Sequence, residues 1–343
     1  MSSCANIPGS PDLSVQKPTD RGIAMSKYKR VDLSKVSTIT ISKRKSKVTS
    51  ADFAVPFDEN GDSFSAFAGS LPAILAASDI KELVLDIVKS RARKKPVLLM
   101  MGGHVIKVGL SPLLVDMLQR NIITAVAMNS AAAIHDVETA MWGKTSEDVA
   151  ANMLRGRFGM ARETGEFINT TLTRAHRDSD LGYGEALGKK LLEADAPNAG
   201  VSVLASCYRL SIPVTVHAAI GTDIIHQQPT MDGAATGELS FRDFRTLCEV
   251  CRGLQGGGVV LNVGSAVIMP EVFLKALTVA RNLGPRVRGF TTAVFDMHSL
   301  YRPTVNVKVR PTQDGGKGYY FTGHHEIMIP LRAAMVKSQL KKR

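Results

Sequence analysis

Five short segments of this 343-residue chain set small residues beside groups that can do chemistry. They are Gly102-Gly103-His104 running through Lys107 to Gly109, and Asn129-Ser130-Ala131 with His135 and Asp136 one helical turn on. The others are His217 through Asp223 to His226, Asn262-Val263-Gly264-Ser265, and Thr291-Thr292 through Phe295-Asp296. A further run, Gly256-Gly257-Gly258, stands before Val259-Val260-Leu261. Three glycines bury no side chain and cost backbone entropy, so they belong where the chain turns sharply or touches something closely. The run is not a G-x-G-x-x-G fingerprint. Small residues and polar groups that open helices suit a phosphate-bearing ligand, and a carboxylate such as Asp136 or Asp296 can take a pair of ribose hydroxyls. The same residues also serve as the caps and turns that any alternating fold needs.

Those segments must be held by the elements around them. From about residue 70 the chain alternates helical and strand patterns. A helix is expected over Leu71–Lys89, a strand over Val97–Met101, a helix over Leu110–Arg120, a strand over Ile123–Met128 and a helix over Ala131–Met141. The unit recurs as helix 199–209, strand Val214–Ala218, helix 241–253, strand Val259–Val263, helix 270–282, strand Gly289–Val294 and a last helix over Glu326–Lys337. Strands apolar on both faces and separated by helices predict an α/β, Rossmann-like parallel sheet covered on both sides. In such a sheet ligands bind beyond the carboxyl ends of the strands, where the five segments fall. Residues 142–195 break the rhythm and read as a helical insertion on the sheet. Residues 1–24 lack periodicity and read as a disordered tail, 25–69 as an N-terminal extension and 70–340 as the main domain. Met1 and Met25 are both eligible starts. Val36 to Ile41 alternates like a short edge strand.

Composition narrows the function classes. Hydrophobic residues make up 44% of the chain, enough for one large core or two modest ones. There is no run of 18 uncharged apolar residues and no apolar signal region, so no membrane partner and a cytoplasmic location are expected. The net charge is +12, but residues 1–50 hold ten Lys/Arg against three Asp/Glu, and Lys337, Lys341, Lys342 and Arg343 crowd the other end. A nucleic-acid groove places its charge on the folded body, so the tails argue for solvation and against a nucleic-acid partner. Cys4, Cys207, Cys248 and Cys251 form no disulfide framework, and Cys248-x-x-Cys251 reads as two core residues. His217, His298, His324 and His325 contain no i, i+4 pair on a helix, so no metal site is expected.

Taken in order, these pieces resemble deoxyhypusine synthase over roughly residues 70–335. Gly103–Gly109, with His104 and Lys107, takes the place of a loop in that family ending in Gly. Asn129-Ser130-Ala131-Ala132-Ala133 stands for its Thr-Thr-Ala-Gly-Gly, with Asp136 where a carboxylate holds NAD ribose. Gly256-Gly257-Gly258-Val259-Val260 reads as its glycine strand, Thr292-Ala293 and Phe295-Asp296 follow its Thr-Ala…Phe-Asp segment, and Gly323-His324-His325 falls on its last NAD loop. The resemblance implies NAD as cofactor, a homotetramer, and polyamine oxidation followed by aminobutyl transfer through a lysine imine.

The chain departs from that pattern where the chemistry would occur. Asn262 stands where the family has a histidine, and an amide cannot relay a proton at neutral pH. Asp223 matches one polyamine-holding acid, while Asp296 through Thr304 lacks the others. Lys308 in Val307-Lys308-Val309-Arg310 matches the imine-forming lysine. Val305–Val309 also alternates as a half-exposed strand, on which Lys308 would be solvated. The expected function is therefore an NAD-dependent, deoxyhypusine-synthase-like enzyme acting on a small-molecule amine through Lys308, Asp223 and Asn262, with the site rebuilt for a different substrate. A non-catalytic NAD-binding or regulatory protein of the same fold is the alternative.

Overall fold

A computed structural model describes residues 26–58, 63–284 and 286–341. The expectation of a disordered tail over 1–24 and the choice of start lie outside them. The chain divides into two units at Lys47/Val48. In the first, the expected strand over Val36–Ile41 is absent. Single 3-10 turns at Leu33–Lys35 and Ile41–Lys43 flank extended backbone whose side chains are all exposed. Alternation makes a strand only when a neighbouring backbone takes up its N–H and C=O groups, and no described residue does so here.

The second unit is a six-stranded, wholly parallel sheet with helices on both faces. Its strands are β1 (Val97–Met101), β2 (Ala125–Asn129), β3 (Val214–His217), β4 (Val259–Val263), β5 (Thr291–Asp296) and β6 (Lys317–Thr322), in the order β3-β2-β1-β4-β5-β6. This is the α/β, Rossmann-like sheet expected from the alternating pattern, in the doubly wound order. Its helices are α1 (Phe64–Ser70), α2 (Leu75–Ala92), α3 (Gly103–Lys107), α4 (Ser111–Gln119), α5 (Ser130–Trp142), α6 (Val149–Met153), α7 (Arg162–Asp178) and α8 (Tyr183–Glu193). After them come α9 (Val203–Arg209), α10 (Gly233–Gly253), α11 (Ile268–Asn282), the single turn α12 (Tyr301–Pro303) and α13 (His325–Lys341).

The strands read as continuous apolar runs because both faces are covered. Alternate side chains go to opposite faces. Val97, Leu99, Met101, Leu261 and Phe295 join one core, under α2, α5, α9 and α13. Leu98, Met100, Val260 and Val294 join a second with Leu247, Cys248 and Cys251 of α10 and Phe273 and Leu277 of α11. Among the described residues no helix is long and apolar enough to cross a membrane.

Two expectations need correction, and one strand was not expected. α10 starts at Gly233 rather than 241, because the Asp232 carboxylate caps it by accepting from the Ala235 N–H (3.0 Å). Residues 305–309 are not a strand: Thr304–Val309 is a π-helix packed on β5 and β6. The strand that closes this edge is β6, whose alternation is carried by only two buried aromatics, Tyr319 and Phe321.

Glycines mark where the backbones meet. A Cβ on Gly102 would fall deep inside the carbonyl oxygen of Gly264, whereas one on Gly237, exposed on α10, would meet nothing within 4 Å. Gly102→Ala should therefore lower stability by about 1–3 kcal/mol. Gly237→Ala should raise it by roughly 0.5–1 kcal/mol through lost unfolded-state entropy. Urea unfolding of both variants checks the opposite signs; equal shifts would contradict this account of β1 and β4.

Candidate functional site

β1 and β4 are neighbours whose continuations leave toward opposite faces, so their carboxyl ends open the sheet's switch point. The Gly102 N–H donates to the Val263 carbonyl (3.1 Å) and the Gly264 N–H to the Phe295 carbonyl (3.0 Å). Gly264 has φ +62°, and a Cβ there would press to 3.0 Å from His325 Cε1. The Phe295 carbonyl also accepts from His325 Nε2 (3.1 Å), which leaves His325 Nδ1 buried without a partner among the described residues. The His104 ring lies 5.5 Å from that of His325. Burial, then the nearby His325, pushes the His104 pKa down. Asp296 closes β5 as a buried carboxylate whose Oδ1 accepts from the Met297 N–H (2.8 Å). His324 follows β6 at the same edge, largely exposed, with Nδ1 3.7 Å from Glu326 Oε1.

Beside this edge, over the ends of β2 and β3, lies a cavity of about 800 Å³, within the range of small-molecule sites. Its floor is one face of α5: Ala131, Ile134, His135, Glu138 and Trp142 follow helical spacing. Lys107 of α3, the loop carrying Thr145 and Glu147, the segment from Phe158 to Thr164 and the Thr222–Ile224 turn make its walls. The wall segments are tied in place. Glu147 accepts from the Gly159 N–H (2.7 Å) and from Asn152 Nδ2 (2.8 Å). Gln228 donates to the carbonyls of Gly159 and Ala161 (2.9 Å each), and Gln227 to that of Phe158 (2.7 Å).

Asp223 is the buried charge of this cavity. Ser130 donates its hydroxyl to Asp223 Oδ2. His226 Nδ1 accepts from the Gly221 and Asp223 N–H groups (3.1 and 3.2 Å), so in the neutral ring the proton sits on Nε2. That atom lies 3.8 Å from Asp223 Oδ2 and has no hydrogen-bond partner among the described residues. Burial raises the Asp223 pKa, against the Ser130 hydrogen bond and the neighbouring histidines. Four acids, Glu138, Glu147, Glu163 and Asp223, line the cavity against Lys107 and Lys144, an imbalance that favours a cationic guest.

The structure brings some of the expected residues together and separates others. Gly103 abuts His135, with room for a Cβ only 3.0 Å from its Cδ2, so the two regions are contiguous. Gly103, His104, Lys107, Asn129, Ser130, Asp223, Asp296 and His324 all stand at the carboxyl edge. Asn129 caps α5, its Oδ1 accepting from the Ala132 N–H (3.0 Å). Gly109 turns the chain at the far end of α3 (φ +79°).

Gly256-Gly257-Gly258 lies at the opposite edge, because it precedes β4 instead of following it. It is a tight turn (φ +71° and +124° at the first two) that donates from Gly256 to the Arg288 carbonyl (2.9 Å). The glycine that follows β4 at the switch point is Gly264. Thr292 is fully buried at the second position of β5 and donates to the Val307 carbonyl (2.8 Å). Lys308 sits beside it, its carbonyl against Gly318. Four residues of strand, roughly 13 Å at 3.3 Å per residue, separate Thr292 from Asp296.

Asn262 is buried within β4. Its Nδ2 donates to the Ser265 carbonyl (3.0 Å) and shapes the turn into α11. Asp136 points away from the cavity into the start of α9. There it accepts from the Ser202 hydroxyl (2.6 Å) and the N–H groups of Val203 (2.8 Å) and Leu204 (3.0 Å). Its oxygens are thus committed to a helix cap. Sequence reasoning missed Glu138, Thr145 and Thr164. The signal for Glu138 was its i, i+3 spacing from His135; nothing local marks the two threonines, Thr145 arriving from a loop and Thr164 from the first turn of α7.

No protein-family model matches this sequence, and no curated protein does. Solved structures match at low identity. One is an arginine dihydrolase of the cyanobacterial ornithine–ammonia cycle (17% identity, 77% of this chain and 33% of that one, TM-score 0.47). Another is AgrE in a ternary complex with ornithine and NAD+ (18%, 77% and 32%, 0.48). A third is a proposed deoxyhypusine synthase from Entamoeba histolytica (11%, 82% and 96%, 0.48). This chain spans about a third of the length of the first two.

His217 ends β3 fully buried against Thr215 (2.9 Å), and burial pushes its pKa down to about 3 from 6.5. A histidine whose folded pKa is depressed takes up its proton mainly in the unfolded chain. Its contribution is thus present above pH 6.5 and lost as pH falls toward 3. Wild type should lose stability relative to His217→Gln over that interval, by on the order of 2–4 kcal/mol. Chemical denaturation across pH checks this, and parallel curves for the two proteins would refute it.

Proposed function

We propose that this protein is an NAD-dependent enzyme that oxidises an amine-bearing small molecule. The dinucleotide would lie across the switch point and the amine in the adjoining cavity. The observation that carries the reading is the buried Asp223 carboxylate in an acid-rich cavity contiguous with the carboxyl edge of a doubly wound sheet. The turns at the switch point suit a dinucleotide. Gly102 and Gly264 leave no Cβ over the strand ends, where a side chain would block close approach. Gly103, His104, Asp296 and His324 are the groups at hand to hold it. When bound, NAD supplies a hydride acceptor.

The chain's own residues do the rest. Asp223, positioned by Ser130, is the counter-charge for a cationic nitrogen, a pairing worth most where water is excluded. A bound cation would also favour its ionised form against the burial that raises its pKa. Lys308 stands away from this edge, so imine transfer through that lysine is not part of the reading.

Calorimetry with NAD+ and a coupled assay for amine-dependent formation of reduced nicotinamide test the proposal. Wild type should bind NAD+. Asp223→Asn should keep that affinity within about twofold while losing roughly 100-fold in amine kcat/KM, the size of a lost buried charge pair. Amine binding should strengthen as pH rises through the raised Asp223 pKa, because the ionised carboxylate is the binding form. A protein that binds NAD+ but oxidises none of a panel of amines would instead be a dinucleotide-binding protein without this activity. One that binds no NAD+ would remove the reading.

A further inference from the structure

Within the cavity, His135 is held in a chain of hydrogen bonds whose directions can be worked out. Thr145 Oγ1 lies 2.5 Å from Glu138 Oε2 and 2.6 Å from His135 Nδ1. Thr164 donates to the other oxygen of Glu138 (3.0 Å). A carboxylate only accepts, so Thr145 spends its one hydroxyl hydrogen on Glu138. The contact with His135 must then be Nδ1–H donating to Thr145 Oγ1. In the neutral ring the other nitrogen, Nε2, is bare. It makes no hydrogen bond to a described residue and is not among the fully buried polar atoms, so it opens to the cavity His135 lines.

The charges around the ring come from three elements. Lys107 and His104 on α3 lower its pKa together with the larger effect of burial, while Glu138 on α5 and Asp223 beyond β3 oppose them. The balance keeps the imidazole neutral, the form in which a bare Nε2 can accept a proton.

We propose that His135 is the proton acceptor of this cavity, with Thr145 and Glu138 as positioning residues that fix its Nδ1–H tautomer. The inference rests on the cavity being the amine site. An ammonium group seated there gives one proton to Nε2 and keeps the N–H bond's electron pair as its own lone pair. The ring becomes an imidazolium whose Nδ1–H already points along Thr145 to the Glu138 carboxylate. The arrangement separates the roles of the two buried groups: Asp223 attracts the cation, and His135 discharges it.

Histidine nitrogen NMR on the uniformly labelled full chain reads the tautomer directly, with His135 assigned through His135→Asn. Wild type should show one neutral tautomer with the proton on Nδ1. Thr145→Ser should preserve it. Thr145→Val should collapse it to a mixture, and Glu138→Gln, whose amide can donate to Thr145 and turn the hydroxyl toward the ring, should shift it toward Nε2–H. Thr145 is in a loop, so its two variants should keep the wild-type thermal midpoint. If Thr145→Val alone failed to fold, Thr145→Ser and Glu138→Gln would still decide the matter. A wild-type Nε2–H tautomer, or one indifferent to Thr145 and Glu138, overturns the proposal without touching the amine reading. Adding spermidine should move the His135 signals saturably. If the tautomer is as described but spermidine and other amines leave it unmoved, the amine site itself is wrong, and the assignment of His135 to it falls too.

Discussion

Everything at the candidate site depends on the close meeting of two backbones where β1 and β4 end. The Gly102 N–H bonds to Val263, the Gly264 N–H bonds to Phe295, and there is no room for a side chain between the two turns. This contact sends β1 onward to α3 and β4 to α11 on opposite faces of the sheet. It thereby sets a place where helices diverge and a ligand can approach backbone atoms. His325, His104 and Asp296 are grouped because they sit on the three segments gathered at that point.

On this frame and the face of α5, part of the cavity wall comes from loops that have no hold of their own. The stretch from Phe158 to Ala161 stays in the cavity wall because Gln227, Gln228 and Glu147 bond its backbone. Those ties use neutral amides and one carboxylate, leaving Asp223 and His135 free to face the interior. Two kinds of polar group therefore coexist a few ångströms apart. Satisfied ones hold the walls, and incompletely satisfied ones line the space, a pattern more often met at binding sites than in cores.

Asp136 and Asn262 show how a residue of the right type can be spent on structure. Asp136 stands at a position suited to a ribose, yet its helical phase turns it to the α9 side, where three donors occupy it. One position earlier and two later, the same helix turns His135 and Glu138 to the cavity. Asn262 has the interior orientation of a strand residue and serves the turn into α11. In both cases the side chain's direction, not its chemistry, decides its use.

The sequence by itself determined the alternation of strands and helices, the double-sided burial of the strands and hence the parallel sheet, since these follow from local apolar periodicity. It also placed Gly103, His104, Ser130, Asp223 and Asp296 at strand ends, because a strand's end is a local property. Only the tertiary structure decided which end of the sheet a glycine turn serves. Gly256-Gly257-Gly258 and Gly264 differ by lying before and after the same strand, at opposite edges. Only it could show Lys308 beside Thr292 near the amino edge, and β6 as a strand defined by pairing with β5. The His135–Thr145–Glu138–Thr164 chain likewise joins residues from α5, from the loop carrying Thr145 and from the first turn of α7, and hydrogen bonds between separate elements leave no periodic trace in sequence.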